Sequence, residues 1–496
     1  MSGNVAPKAP ACGKTAFGSA LAGPDRHAWL WLFLITAGAF CLRLFRLTSQ
    51  GLNMDEGFSA LLGRIPWTSF VSRVWDSEFN MVLYYAVLRL WMHIGRGEFV
   101  VRLLSVLLAT ATVPVVYLLG KRLFDSRTGL IAALLLALHP FHLMLAQRAR
   151  AYPLAVLLIS LACLFFLRGL EKPTWGNWLA YAVLSAAAVY AHFFAVLVIG
   201  AQWMSLPFLP ERPLLWKRML GSTLLIVVML APVGVFLAQH PKAGNLDWVA
   251  GLNRPQLLST LYAMTLTKNR SLAYLAMWAI TVWCAFRLKP RARAWPYRFT
   301  LTWLLAPPLL VIGASLVRPM LVERFLAICI PAAVLAAAAG VMQLARWSKA
   351  AGVLVLVLIV FYSMSNVRYH LRHPEYGENW REASQYVFAH AEAGDEVVIL
   401  PGMPRFVFDY YREMNPANVP VLVFANSAPE LLPQPLPQNV WFVGWTERQS
   451  RWDTEAAKFL EAQRPRYCEK PLRFDASIVK VWQFRLCGAQ PAMPSP

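Results

Sequence analysis

Apolar residues fall in long blocks along most of this chain, and polar residues collect in the short gaps between them. Blocks at 29–47, 99–120, 128–145, 151–167, 176–191, 193–209, 219–238, 271–286, 299–317, 323–345 and 350–366 are all candidates to span a bilayer, since a crossing helix needs roughly 20 apolar residues. The pattern predicts a polytopic α-helical membrane protein with about 11 transmembrane helices. Dividing 178–203 at His192 sets the parity, and merging those two helices would reverse the sidedness of everything after them.

Two stretches break the pattern. Residues 48–98 are interrupted by Arg64, Arg73, Asp76, Glu78, Arg89 and Arg96, so they read as a large first external loop. Within it, 58–75 and 82–94 carry apolar residues at helical spacing with charges opposite, as in helices lying in the membrane interface. From 368 to 496 the periods become short. Residues 380–390 read as an amphipathic helix, 396–400, 419–424, 440–445 and 478–485 as strands, and the Pro-rich 428–437 as a loop. The expected organisation is a disordered cytoplasmic tail (1–27), a transmembrane domain (28–367) and a soluble extracytoplasmic α/β domain (368–496).

Composition excludes the soluble alternatives. With 58% hydrophobic and only 15% charged residues, the chain lacks the about 25% charge that a water-exposed surface draws on. The net charge of +21 would suggest a nucleic-acid partner in a soluble chain. Here the basic residues sit in alternate gaps, among them Lys121, Arg122, Arg168, Lys172, Arg346 and Lys349. A cytoplasmic N-terminus places all of these inside, as the positive-inside rule requires, so the partner is membrane lipid and not nucleic acid. Of the seven cysteines, only Cys468 and Cys487 share a polar region, and a disulfide between them is the one redox hypothesis the spacing supports.

Asn53-Met54-Asp55-Glu56-Gly57 places two adjacent carboxylates directly beyond the first span. A fixed carboxylate at the bilayer edge can take a proton from an acceptor hydroxyl where a lipid-linked substrate presents its head group. The alternative is that Asp55 or Glu56 caps the following helix. In Gln147-Arg148-Ala149-Arg150-Ala151-Tyr152-Pro153, two arginines lie on an external turn against the inside rule. Guanidinium forks bind phosphate bidentately, whereas snorkelling to external head groups is the structural reading. In Val322-Glu323-Arg324-Phe325, Arg324 is a second phosphate candidate with Glu323 orienting it or binding a cation, unless the two simply pair. His192 stands at the outer face between two apolar blocks, where a lone histidine is more often structural. His139 and His142 flank Pro140 as packing residues. Asn80, Tyr84 and Tyr85 could line a sugar pocket, with interfacial anchoring the competing role for the tyrosines.

Taken in order, Asp55-Glu56, EFNMVLYYAVLRLW (78–91), EFVVRLLSVL (98–107), the 118–154 segment ending in AQRARAYPL, and VYAHFFAVL (189–197) resemble bacterial GT-C glycosyltransferases. More narrowly, the chain is similar to the protein mannosyltransferase and aminoarabinose transferase group, the glycosyltransferase 39 or PMT-like family. The similarity runs over about 28–370 and is densest before 200. It implies an enzyme of the bacterial inner (plasma) membrane that transfers a sugar, with inversion, from a polyprenyl-phosphate donor to a protein, lipid or glycan acceptor on the external face. The family's first-loop acidic motif falls on Asp55 and Glu56, which makes Asp55 the general base. Its second external turn falls on Arg148, Arg150 and Tyr152, near the donor phosphate. The chain departs from its relatives at Asn80-Met81-Val82, where they often carry His-Pro-Pro, and at Arg148-Ala149-Arg150, where they often carry Glu-Ala-Arg. The second departure leaves Asp55, Glu56 and Glu323 as carboxylates for a divalent cation, so metal dependence stays open. A flippase for lipid-linked sugars is the rival reading, but it needs polar groups near the midplane, and almost all the ionisable residues here lie at block ends.

Overall fold

The computed structural model describes residues 26–209, 216–240, 249, 251–373, 378–400, 405–415, 423–424, 439–445, 461, 467–476 and 478–487. In chain order its helices are α1 (Arg26–Leu44), α2 (Met54–Leu62), α3 (Trp67–Arg73), α4 (Val82–Trp91), α5 (Glu98–Leu123), α6 (Ser126–Ala137), α7 (Pro140–Ala146), α8 (Tyr152–Glu171), α9 (Trp175–Ala191) and α10 (Ala195–Ser205). They continue as α11 (Trp216–Met229), α12 (Ala231–Gln239), α13 (Arg254–Met264), α14 (Ser271–Arg287), α15 (Arg291–Ser315), α16 (Ile330–Trp347), α17 (Lys349–Arg372), α18 (Trp380–His390) and α19 (Arg405–Met414). The strands are β1 (Glu396–Leu400), β2 (Val423–Phe424), β3 (Asn439–Trp445), β4 (Tyr467–Ala476) and β5 (Val479–Leu486).

Every apolar block of the sequence is helical, and the chain is a multi-pass helical membrane protein. Among the described residues six helices are long and apolar enough to cross a membrane, or up to eight if the bent pairs α6–α7 (60°) and α11–α12 (42°) each make one span. The remaining blocks are the shorter α9, α10 and α14. Both bends have a proline in the first turn of the second helix, Pro140 and Pro232, where the missing N–H removes a backbone bond to the preceding helix. Most of the tail expected at 1–27 lies outside the described residues, as do 428–437.

Residues 1–40, 109–142 and 154–366 form one compact unit, and residues 41–108, 143–153 and 367–496 form another. In the first, α16 is the central helix, 94% buried over its spanning window and packed by α6, α14 and α15. Gly340 permits the closest approach, because a Cβ there would strike the Met277 carbonyl of α14. The Trp278 indole and Thr281 hydroxyl of α14 donate to the Ala333 and Ala336 carbonyls of α16 at 3.0 and 2.7 Å. Small residues at the contact and polar side chains spent on backbone are what membrane helix packing favours. By contrast α1 and α17 are only 22% buried, leaving apolar flanks for lipid.

The second unit gathers the first loop, the 143–153 turn and the C-terminal α/β domain. Its sheet has the order β2-β1-β3-β5-β4, with β1 parallel to β2 and β3, and β5 antiparallel to β3 and β4. Cys468 and Cys487 form a disulfide across β4 and the end of β5. The domain is fastened to the first loop through side chains. Arg381 of α18 pairs with Glu98 and donates to the Thr48 and Gln50 carbonyls, both at 2.9 Å. The Tyr411 hydroxyl of α19 donates to Glu98 and accepts the Leu52 amide, both at 2.6 Å. Gly57 of α2 lies against Val407 of α19, where an added Cβ would come within 2.5 Å of the Val407 Cβ.

Candidate active site

The site is built on the N-terminus of α2. Asn53 is its cap: the Asn53 side chain accepts the Glu56 amide at 2.9 Å, and Glu56 accepts the Asn53 amide at 3.1 Å. This reciprocal capping box fixes the turn that carries Asp55. The two adjacent carboxylates then part company. Glu56 is 1% exposed and receives Arg102 Nε and Nη2 at 2.8 and 2.7 Å together with the Ala149 amide at 2.9 Å. Arg102 spends its other donors on the Leu47, Gln50 and Gly51 carbonyls. Burial alone would push the Glu56 carboxyl up, but Arg102 and the Ala149 and Asn53 amides hold it below its ordinary value. Glu56 is therefore an internal strut, and the expectation that it shares the chemistry with Asp55 is revised on this geometry. Its lone pairs are already occupied.

The Ala149 amide that Glu56 accepts lies between the two arginines of the second turn, so the strut places that turn against α2. Asp55 is 36% exposed, and its Oδ2 lies 3.8 Å from Arg150 Nη2. Arg150 is 8% exposed. Its Nη1 donates over long distances, 3.3 Å to the Asp55 carbonyl and 3.5 Å to the Tyr85 hydroxyl, and its buried Nε has no partner among the described residues. Burial would lower the Arg150 pKa, but Asp55, Tyr85, Tyr152 and Glu78 outweigh it and keep the guanidinium charged. Arg148 is half-buried, and no hydrogen bond or ion pair of its guanidinium is present among the described residues. Such arginines are a ready anion site.

Three further groups complete this surface. Glu78 sits in a single π-helical turn, Val74–Glu78. Desolvation and the nearby Asp55 charge raise its carboxyl despite Arg150, and it accepts the Tyr85 hydroxyl at 3.3 Å. Tyr85 is fully buried, and burial pushes its hydroxyl well above the ordinary value. Glu378, from the start of the C-terminal domain, accepts the Met54 amide and the Trp380 indole, both at 2.8 Å. Burial raises its carboxyl, and the Asp55 charge adds to that rise.

Of the other expected site residues, Tyr152 is buried at the start of α8, and its phenol acts electrostatically on Arg150. Asn80 is half-buried in the Phe79–Met81 turn. His192, Glu323 and Arg324 belong to the other compact unit. There His192 ends α9, accepts the Phe194 amide on Nδ1 at 3.4 Å and packs on Phe325 with ring centroids 5.1 Å apart. Glu323 and Arg324 open the Glu323–Cys329 run. His139 and His142 are buried at the α6–α7 bend, where Nδ1 of His139 accepts the His142 amide, as packing residues would be.

Sequence reasoning overlooked Arg102, Glu78 and Glu378 as members of this site. Arg102 carried a signal, because a cation inside an apolar block calls for a buried partner. Glu378 carried none, since only the fold brings it to residue 54. Among the described residues no three His, Cys, Asp or Glu side chains are placed to hold one metal ion.

This arrangement sits on a known architecture. Residues 81–237 match the family model for dolichyl-phosphate-mannose-protein mannosyltransferase. ArnT from Cupriavidus metallidurans in the apo state superposes with a TM-score of 0.59 at 15% identity, over 92% of this chain and 98% of that one. The same protein bound to undecaprenyl phosphate gives 0.57 at 14%, over 95% and 100%. The Archaeoglobus fulgidus oligosaccharyltransferase tethered with an acceptor peptide gives 0.54 at 11%, over 94% and 74%. No curated protein matches by sequence. The chain shares its fold with these glycosyltransferase structures, and over residues 81–237 it is similar to the mannosyltransferase family, in line with the resemblance read from the sequence.

Proposed function

We propose that this protein is a membrane glycosyltransferase that moves a sugar from a polyprenyl-phosphate donor to an acceptor hydroxyl on the external face of the bacterial inner membrane, the N-terminus being cytoplasmic. The acceptor is a protein, lipid or glycan. The observation that carries the reading is the pairing of the solvent-reachable Asp55 carboxylate with the buried Arg150 guanidinium, whose Nε–H has no partner among the described residues. That ArnT has been solved with undecaprenyl phosphate supports a lipid-phosphate donor.

In this reading the acceptor oxygen attacks the anomeric carbon while Asp55 takes its proton. The bond from that carbon to the phosphate oxygen breaks, and the electron pair leaves with the polyprenyl phosphate. Arg150 and Arg148 meet the negative charge that grows on the leaving oxygen, where preorganised donors act most strongly. One displacement inverts the anomeric configuration. Asn80 and Tyr152 are proposed to shape the pocket around Asp55, His192, Glu323 and Arg324 are proposed as substrate-binding residues within the other compact unit, and no step passes through a metal.

The test is transfer of radiolabelled sugar from the polyprenyl-phosphate pool of native membranes by the purified protein, comparing wild type with Asp55→Asn. Label should reach an acceptor with wild type and fall by about 10²-fold or more in the variant, the scale of a lost general base, with donor binding retained. Full transfer by Asp55→Asn removes the base assignment. Labelled lipid crossing the bilayer without cleavage in either protein points to a flippase.

A further inference from the structure

We propose that Glu378 is a positioning residue for Asp55, so that the C-terminal domain takes part in the reaction; this rests on the proposed function. The backbone around Asp55 is clamped on both sides. Behind it, Glu378 Oε2 accepts the Met54 amide at 2.8 Å, one of the amides that a helix leaves without an internal partner at its N-terminus. Ahead of it, Asn53 takes the Glu56 amide at 2.9 Å. The Asp55 carbonyl in turn receives the Ser59 hydroxyl at 3.0 Å and Arg150 at 3.3 Å. Three of these contacts are made by residues of the first loop and its facing turn, and the fourth comes from the C-terminal domain.

Glu378 is itself held. The fully buried Trp380 donates its indole N–H to the same Oε2 at 2.8 Å, and Trp380 opens α18, the helix that Arg381 ties to Glu98. A shift of α18 therefore passes through Trp380 and Glu378 to the residue that precedes the base. Glu378 Oε1 makes no hydrogen bond among the described residues, yet the carboxyl lies within the electrostatic reach of Asp55 and Arg148. Glu378 acts through Asp55. It is not assigned a contact with substrate.

Full-length protein in detergent is assayed with the same radiolabelled polyprenyl-phosphate pool, and hydrogen exchange of the 53–62 peptide is measured alongside. Glu378→Ala should lower kcat by about tenfold or more with donor KM unchanged, the signature of a misplaced group, and should speed exchange in the first turn of α2. Glu378→Gln keeps an oxygen for both donors and should restore most of kcat. Trp380→Phe, which removes only the indole N–H, should give a smaller loss in the same direction and serves where Glu378→Ala fails to fold. Wild-type kcat in Glu378→Ala overturns the proposal, as does a raised KM with unchanged kcat. A Glu378→Gln variant as defective as Glu378→Ala overturns the hydrogen-bonding role. Asp55→Asn is run in parallel: if it retains transfer, the base assignment fails whatever Glu378 does, whereas loss in Asp55→Asn with full activity in Glu378→Ala removes this inference alone.

Discussion

Adjacent carboxylates with opposite fates show how little a residue type says without its partners. Asp55 and Glu56 are equivalent in sequence, yet one faces the site and the other closes a buried bidentate pair with Arg102. Removing one member of such a pair strands the other charge, so Glu56→Ala should cost about 3–5 kcal/mol of stability, read as a fall in the thermal midpoint in detergent. Because the folded Glu56 pKa lies below its ordinary 4.5, its stabilising contribution is complete above that pH and is lost as pH falls through the folded value. The difference in midpoint between wild type and Glu56→Ala should thus be large at pH 7 and shrink on acidification below pH 4.5; a difference independent of pH would contradict the charge-based account. Arg150 predicts a separate outcome. Its poorly spent donors suit an incoming phosphate, so Arg150→Ala should raise donor KM by about tenfold or more, the worth of a charge-assisted hydrogen bond, and a KM equal to wild type would show that the phosphate binds elsewhere. That Asp55 and the second turn share one face was legible from the loop pattern, but their pairing was not, because the anion expected for those arginines was a lipid phosphate. The strut was not, since Ala149 contributes only an amide, which no side-chain pattern reveals.

Helices and strands were legible wherever burial writes a period into the sequence. All eleven apolar blocks are helical, and α18, β1, β3 and β5 appear within one residue of the positions read from alternation. The strand at 419–424 is described only as β2, Val423–Phe424, because 419–422 lie outside the described residues. Two elements of the C-terminal domain escaped. β4 reads YCEKPLRFDA, with charges and a proline in place of alternation, as an edge strand tolerates. α19 reads RFVFDYYREM, short and rich in aromatic residues, and only its packing on α2 makes it decisive. That packing gives a prediction at the same scale. A methyl group at residue 57 would meet the Val407 backbone as well as its side chain, and backbone cannot swing aside. Gly57→Ala should therefore push α19 from α2 and cost about 1–3 kcal/mol by overpacking, visible as a lower thermal midpoint and faster exchange in 405–414. Wild-type values for both would mean that the contact is looser than its geometry requires.

For the whole molecule, the charge pattern predicts a sidedness that can be measured. α17 runs from Lys349 to Arg372 with a mean hydropathy of 2.1 and little burial, and its 24 residues extend for about 36 Å as a helix, enough to cross the hydrocarbon core. Its two ends then lie on opposite faces. Lys349 follows Arg346 at the end of α16, and translocating that basic gap would go against the inside rule. On the proposed function the α/β domain that follows α17 is then expected outside, together with Asp55. Lys349 and Glu392 are both exposed, so a single cysteine can be placed at each in turn in a background lacking Cys12, Cys41, Cys163, Cys284 and Cys329. With a membrane-impermeant maleimide on intact cells, Glu392→Cys should be labelled at once and Lys349→Cys only after permeabilisation. The reverse pattern would put the carboxylate and its arginines in the cytoplasm and rule out an external transfer site, and labelling of both in intact cells would show that α17 does not cross the bilayer.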